Sequence, residues 1–310
     1  MKDIPRIAVV GAGAMGSLFG GLLAENGLEV TLIDVWQEHV DAIKSKGLKM
    51  VGFGGDRYIN IGVSDHPAEL TPVDVVFVQC KAAATAEAIK NAKPIIDDDT
   101  VVISFQNGLG NEETIAEIIG AEKVLGGLTA QAANMEGPGI VRNHAELPSW
   151  IGEMSGGQSE RVTKLCQVFT DNGIPTDPSQ DIKRRIWNKL FANIAVSPMS
   201  GITNLQIRDL FAKDDAQQLA FAIIDEALKV AQAEGLNISQ DESREVLLKI
   251  IASDQTNKSS LCVDILNKRK TEIDFINGSV VRLGEKHDIP TPLNKTMITL
   301  VKTLENQYLG

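Results

Sequence analysis

Residues 6–16 read RIAVVGAGAMG, and no other stretch of the chain limits the fold so strongly. An unbroken apolar run of this kind is the mark of a strand buried on both faces, as in a parallel sheet covered by helices. The run ends in Gly11, Gly13 and Gly16, spaced G-x-G-x-x-G, and the pattern that follows, MGSLFGGLLAENG, is helical with a stop near Gly27. Strand, glycine turn and helix in that order open a βαβ unit whose turn suits a dinucleotide pyrophosphate. Gly11 permits the tight turn, Gly13 lets backbone approach the phosphates, and Gly16 lets helix and strand pack closely. Ala12, Ala14 and Met15 complete the turn, and the helix start offers N–H groups to an anion. A generic glycine-rich turn is the competing reading, and the flanking pattern disfavours it.

The alternation continues. EVTLID, VDVVFVQC, TVVISFQNG and KVLGGLTAQAA read as strands, and WQEHVDAIKSKG, AAATAEAIKNAKPII and EETIAEIIG as the helices between them. SERVTKLCQVFTDNG is helical and IPTDPSQDI an extended link. From residue 184 onward nearly every segment is helical, including SLCVDILNKRKTEIDFINGSVVRLGEKHD as one stretch. We therefore expect an α/β protein: a Rossmann-type parallel-sheet domain over residues 1–180, then an all-helical domain over residues 181–310. A chain of 310 residues is long enough for two cores.

Composition bears on partners. The net charge of −11 disfavours nucleic acid and anionic membranes. No window holds ~18 consecutive apolar residues, and the N-terminus runs into a strand pattern without a signal-peptide core. The three cysteines, Cys80, Cys166 and Cys262, suggest neither a disulfide framework nor a metal cluster. His39, His66, His144 and His287 lack metal-ligand spacing and read as surface or structural. A cytoplasmic protein without a metal is expected; a homodimer is left open.

Two sets of polar residues stand out. Asp34 ends the second strand, near the position where an acidic residue meets the adenine ribose. Its charge would oppose a 2′-phosphate, favouring NADH over NADPH. Lys81 and Asn107 lie just past strands, at the ends that face a ligand crevice in such sheets. On spacing alone, Asn107–Gly108 reads more readily as a simple turn. In RRIWNKLFANIAVSPMSGITN, Lys189, Asn193 and Ser197 recur every four residues on an otherwise apolar helix. A snorkelling lysine and satisfied core polar groups at Asn193 and Ser197 are the plainer account of that row.

GAGAMG, VFVQCKAAAT, FQNGLG, IWNKLFAN and the segment from SSLCVDILNKRKTEIDFING to HDIPTP resemble, in order and over almost the whole length, the ketopantoate reductase (2-dehydropantoate 2-reductase) family. TEIDFING is the most specific of these and the glycine motif the least. The resemblance implies a Rossmann domain followed by a helical domain, with the active site in the cleft between them. It implies reduction of a branched 2-oxo acid with NAD(P)H. It assigns Lys189 as the catalytic lysine and Asn193 as a substrate-binding asparagine. Ser260, Asp264 and Glu272 become substrate residues of the late helices, and Lys81 and Asn107 cofactor-side residues, with Glu272 counted on both sides. Ser197 stands where the family has a second asparagine, and Asp34 where NADPH-using members carry a basic residue.

On this reading Lys189 polarises and protonates the ketone oxygen, while Asn193, Ser197 and Ser260 hold the 2-oxo acid. Glu272 accepts from the distal hydroxyl of ketopantoate. The nearest rival is an NADH-dependent D-2-hydroxyacid dehydrogenase of the same fold. The β-hydroxyacid dehydrogenase group shares the lysine and asparagine four apart but is disfavoured by TEIDFING. A dinucleotide-sensing regulator without turnover is the alternative from another class.

Overall fold

The computed structural model describes residues 4–253 and 256–309. Twelve strands are present among them: β1 Ile7–Val10, β2 Val30–Ile33, β3 Leu48–Gly52, β4 Arg57–Ile59, β5 Gly62–Ser64, β6 Val75–Val78, β7 Val101–Ser104, β8 Val124–Thr129, β9 Ala133–Gly137, β10 Ile140–Asn143, β11 Ser149–Glu153 and β12 Thr176–Pro178. The helices begin with α1 Ala14–Glu25, α2 Gln37–Lys46, α3 Thr85–Ala92, α4 Asn111–Ile119 and α5 Glu160–Asp171. They continue with α6 Ile182–Thr203, α7 Ile207–Leu210, α8 Asp214–Ala233, α9 Gln240–Ala252, α10 Ser260–Leu266, α11 Asn277–Lys286 and α12 Pro292–Glu305.

The chain divides into two compact units, residues 1–106 with 111–183, and residues 107–110 with 184–310. The short loop 107–110, which lies in the sequence of the sheet unit, therefore groups with the helical one.

In the first unit eight strands run in the order β5-β2-β1-β6-β7-β8-β11-β12, parallel throughout except where β11 meets β8. Strand residues alternate between two cores, as the period of two requires. Ile7, Val9, Val75 and Phe77 pack on the α1 and α5 side, where Phe19 meets Phe105 edge-on at 5.1 Å. Ala8, Val10, Val76 and Val78 pack on the α3 and α4 side. Full burial of side chains of this size is worth about 1.5–3 kcal/mol apiece, and double-sided burial explains the unbroken apolar runs.

The expected parallel sheet is present, but it also holds β5 and β11, which the sequence did not announce, with β11 antiparallel to β8, and further strands appear. A second sheet, β4-β3-β10-β9, forms from short strands whose glycine-rich stretches mask any alternation. Part of the expected link becomes β12, an edge strand that tolerates Pro178 because an edge needs fewer backbone donors. Asp177 and Pro178 are both exposed there.

In the second unit, α6 and α8 supply most of a core that includes Trp187, Phe191, Ile194, Ile223 and Ala227. The stretch read as one helix from residue 260 to 288 is instead α10 and α11. Between them Lys268 adopts a left-handed conformation, φ +54°, which ends the first helix. Among the described residues no helix is long and apolar enough to cross a membrane.

Candidate functional site

In the sheet unit, strand order reverses beside β1: β2 lies on one side and β6 on the other. Ligands of open α/β sheets bind at such a switch point, outside the carboxyl ends of the strands. Gly11 follows β1 with φ +96°, and a Cβ there would stand 2.3 Å from the Cys80 nitrogen at the end of β6. A Cβ on Gly16 would stand 1.9 Å from the Gly11 oxygen. Both glycines are thus demanded by the protein's own packing. Gly13 differs: it is exposed, and a Cβ would meet nothing within 4 Å. Gly13 is also the N-cap of α1, which has no side-chain cap and no acidic residue in its first turn. Open space beside an uncapped helix start suits the phosphates of a dinucleotide.

Asp34 is half-buried at the end of β2. Its Oδ2 accepts from the Ala12 N–H at 2.6 Å and its Oδ1 from the Trp36 N–H at 2.9 Å. The carboxylate is thereby pinned to the glycine turn, and each oxygen has a further lone pair for a ribose hydroxyl. Lys81 is exposed, directly after the Cys80 turn. That turn is held by Gln106, which the sequence reading passed over. Gln106 Nε2 donates to the Cys80 carbonyl at 2.7 Å and to Thr85 Oγ1 at 2.8 Å. Its one sequence signal was its place at a strand end beside Asn107.

The helical unit carries the other set. Helix α6 runs unbroken from Ile182 to Thr203 with Pro198 inside it. Lys189 and Asn193 are half-buried, whereas Ser197 is only 4% exposed. Burial among apolar neighbours pushes the Lys189 ammonium down from 10.5 to about 8, and the negative charge of Glu272 opposes that drop. Glu272, half-buried, lies in the segment before α11. The Glu272 carbonyl accepts from the Phe275 and Ile276 N–H groups. Phe275 in turn bonds the 107–110 loop: Leu109 N–H donates to its carbonyl at 3.1 Å, and a Cβ on Gly108 would stand 2.1 Å from that same oxygen. The loop that begins with the half-buried Asn107 is thus anchored at Phe275, three residues along from Glu272.

Ser260 and Asp264 behave differently. Ser260 begins α10 with its side chain exposed, and the neighbouring Ser259 makes the buried contacts. Ser259 Oγ donates to the Ser197 carbonyl at 3.2 Å and accepts from the Cys262 N–H at 3.1 Å. Asp264 is buried, and its Oδ1 accepts from Arg269 Nε at 3.0 Å. The helical unit therefore joins Lys189 and Glu272 electrostatically, while Asp264 is engaged by an arginine.

Residues 7–156 match the family profile described as ketopantoate reductase PanE/ApbA, and residues 181–305 match the profile of its C-terminal part. The 2-dehydropantoate 2-reductase of Pyrococcus abyssi is 32% identical over 300 residues, spanning 97% of this chain and 98% of that protein. That of Archaeoglobus fulgidus is 32% identical over 303 residues, spanning 98% and 99%. Among solved structures, a PanE/ApbA family ketopantoate reductase from Ralstonia eutropha JMP134 superposes with a TM-score of 0.90 at 30% identity, covering 98% of this chain and 100% of that one. D-mandelate dehydrogenase in ternary structure with NADH and anilino(oxo)acetate superposes with a TM-score of 0.92 at 29% identity, covering 98% and 99%.

Proposed function

Because the chain belongs to the ketopantoate reductase PanE/ApbA family, we propose that it reduces 2-dehydropantoate to pantoate with a reduced nicotinamide dinucleotide. The observation that carries the proposal is Lys189, a half-buried ammonium on a core helix with its pKa brought down to about 8. An acid with a pKa near the working pH transfers its proton readily and recovers it readily.

When bound, the reduced nicotinamide supplies the hydride. The glycine turn at Gly11, Ala12, Gly13, Ala14, Met15 and Gly16 holds the pyrophosphate, and Asp34 accepts from the adenine ribose. Lys81 and Asn107 serve the cofactor from their strand ends. Lys189 donates to the ketone oxygen, polarises it, and gives it a proton as the alkoxide develops. Asn193 donates to the substrate without adding charge. Ser197, Ser260 and Asp264 serve the substrate, the two serines at its carboxylate, and Glu272 accepts from the distal hydroxyl. Glu272 also keeps Lys189 partly charged, since its carboxylate opposes the drop caused by burial.

Asp34 supports NADH as the preferred dinucleotide, because a carboxylate repels a 2′-phosphate. The same residue, together with Ser197, supports a second reading: reduction of other 2-oxo acids by NADH, as the likeness to D-mandelate dehydrogenase suggests. Steady-state rates with each dinucleotide, on 2-dehydropantoate and on 2-oxo acids of the same branching without the hydroxyl, separate the two. A half-buried carboxylate left without its donor costs about 1–3 kcal/mol, roughly ten- to a hundredfold in kcat/KM. Equal kcat/KM without the hydroxyl would overturn 2-dehydropantoate as the substrate.

A further inference from the structure

Ala12 is held from both sides of its backbone. Its N–H donates to Asp34, and its carbonyl accepts from Ser17 Oγ at 2.6 Å. Ser17 is fully buried, and its Oγ lies 3.3 Å from Nε2 of His39, which is equally buried. The other ring nitrogen, Nδ1, accepts from the Gly139 N–H at 2.9 Å. A backbone N–H can only donate, so Nδ1 is bare and the proton of the neutral ring sits on Nε2. Nε2–H then donates to Ser17 Oγ, and the hydroxyl proton goes to the Ala12 carbonyl. Burial lowers the His39 pKa, against the opposing charge of Asp34 and the nearby Ala12 backbone, so the ring is neutral at pH 7.

The hydrogen bonds therefore run one way, from Gly139 through His39 and Ser17 to Ala12. The peptide joining Ala12 to Gly13 is planar and trans, so its C=O and N–H point to opposite sides. With the carbonyl drawn inward by Ser17, the N–H of Gly13 turns outward, at the exposed glycine whose surroundings are open. A flip of that peptide would present a carbonyl oxygen to the phosphates in place of a donor.

We propose that His39 and Ser17 are positioning residues for the dinucleotide, fixing the Ala12–Gly13 peptide so that its N–H faces the pyrophosphate. The proposal rests on the glycine turn being a dinucleotide site. It also gives a buried histidine on α2 a purpose that its surroundings alone do not require.

Direct titration of the full chain with NADH, followed by cofactor fluorescence, tests it with three substitutions. In His39→Gln the amide nitrogen reaches the place of Nε2 and keeps the donor to Ser17. In His39→Asn the amide oxygen reaches the place of Nδ1, keeping the bond from Gly139 and losing the donor. Ser17→Ala removes the last link. We expect Ser17→Ala and His39→Asn to weaken NADH binding tenfold or more, and His39→Gln to stay within threefold of the unsubstituted protein. The KM for the 2-oxo acid should stay within threefold in all three. A merely structural role would instead order the affinities by melting temperature, and that ordering overturns the proposal. So does unchanged binding in Ser17→Ala, which decides the matter alone if the His39 variants fail to fold. If the unsubstituted chain binds no dinucleotide, the function reading itself falls.

Discussion

The side-chain amide of Asn277 donates to the Ile194 carbonyl at 2.8 Å, four residues before Pro198 in the same helix as Ile194. Proline has no N–H, so the carbonyl four residues back loses its helical partner. Asn277 supplies the missing donor from α11, and its Nδ2 also donates to Asn294 Oδ1 at 3.0 Å. The helix that carries Lys189 and Asn193 is completed from outside itself. Asn277 and Asn294 are fully buried.

Asn277→Ala leaves the Ile194 carbonyl dry and unbonded, which costs about 1–3 kcal/mol. The melting temperature should fall by several degrees. Pro198→Ala restores an N–H at position 198, so the double variant should recover part of that loss. Additive losses in a thermal double-mutant cycle would mean that Asn277 does not serve this carbonyl.

Lys189→Ala should lower kcat by ~10²–10⁴-fold, the usual worth of a positioned acid, with the circular dichroism spectrum unchanged. A loss below tenfold would remove Lys189 from the chemistry.

The pH profile follows from the same residue. The ammonium donates only while protonated, so the reduction rate should hold below about pH 8 and fall above it. Glu272→Gln removes the charge that holds the value up, so the break should move to lower pH. Because the folded value is lowered, stability should rise between about 8 and the ordinary 10.5, where the unfolded chain binds the proton more tightly. A profile of kcat against pH on the two proteins reads the first effect directly.

Asp34→Arg should raise the ratio of kcat/KM for NADPH over NADH by tenfold or more, since it replaces repulsion of the 2′-phosphate with attraction. An unmoved ratio would take the ribose away from Asp34. Loss of the carboxylate also frees the Ala12 and Trp36 N–H groups, so affinity for NADH should fall as well.

Glu112, at the start of α4, is 4% exposed, and burial pushes its carboxyl up to about 8. The folded protein then holds a proton that the unfolded chain releases above about 4.5. The contribution is whole below that value and is lost as pH rises through 8. Melting temperature should decline with pH across this window, and Glu112→Gln should flatten the slope. Equal slopes for the two proteins would show that Glu112 is not the group responsible.

The βα alternation was readable because double-sided burial leaves apolar runs with no polar break, as in Ile7–Val10 and Val75–Val78. The row of Lys189, Asn193 and Ser197 was readable for the opposite reason, as polar residues at helical spacing in an apolar segment. What stayed hidden depends on long-range pairing. The strands β3 and β10 pair across some ninety positions of sequence, and nothing local in either announces the other. Gln106, Ser259 and Asn277 were hidden too, because a buried amide or hydroxyl shows its purpose only once the carbonyl it serves is in place.

The two margins of the large sheet are built alike. Both β5 and β12 are three residues long, and β12 ends in Pro178 beside the exposed Asp177. A strand this short offers a second chain few rungs, the proline withholds a donor, and the aspartate would place charge in the new ladder. The sheet is thereby poorly suited to templating its own extension, so fibrillar growth from the folded protein has no ready starting edge. Concentrated, folded samples should stay free of cross-β aggregates even though the sheet interior is rich in valine and isoleucine.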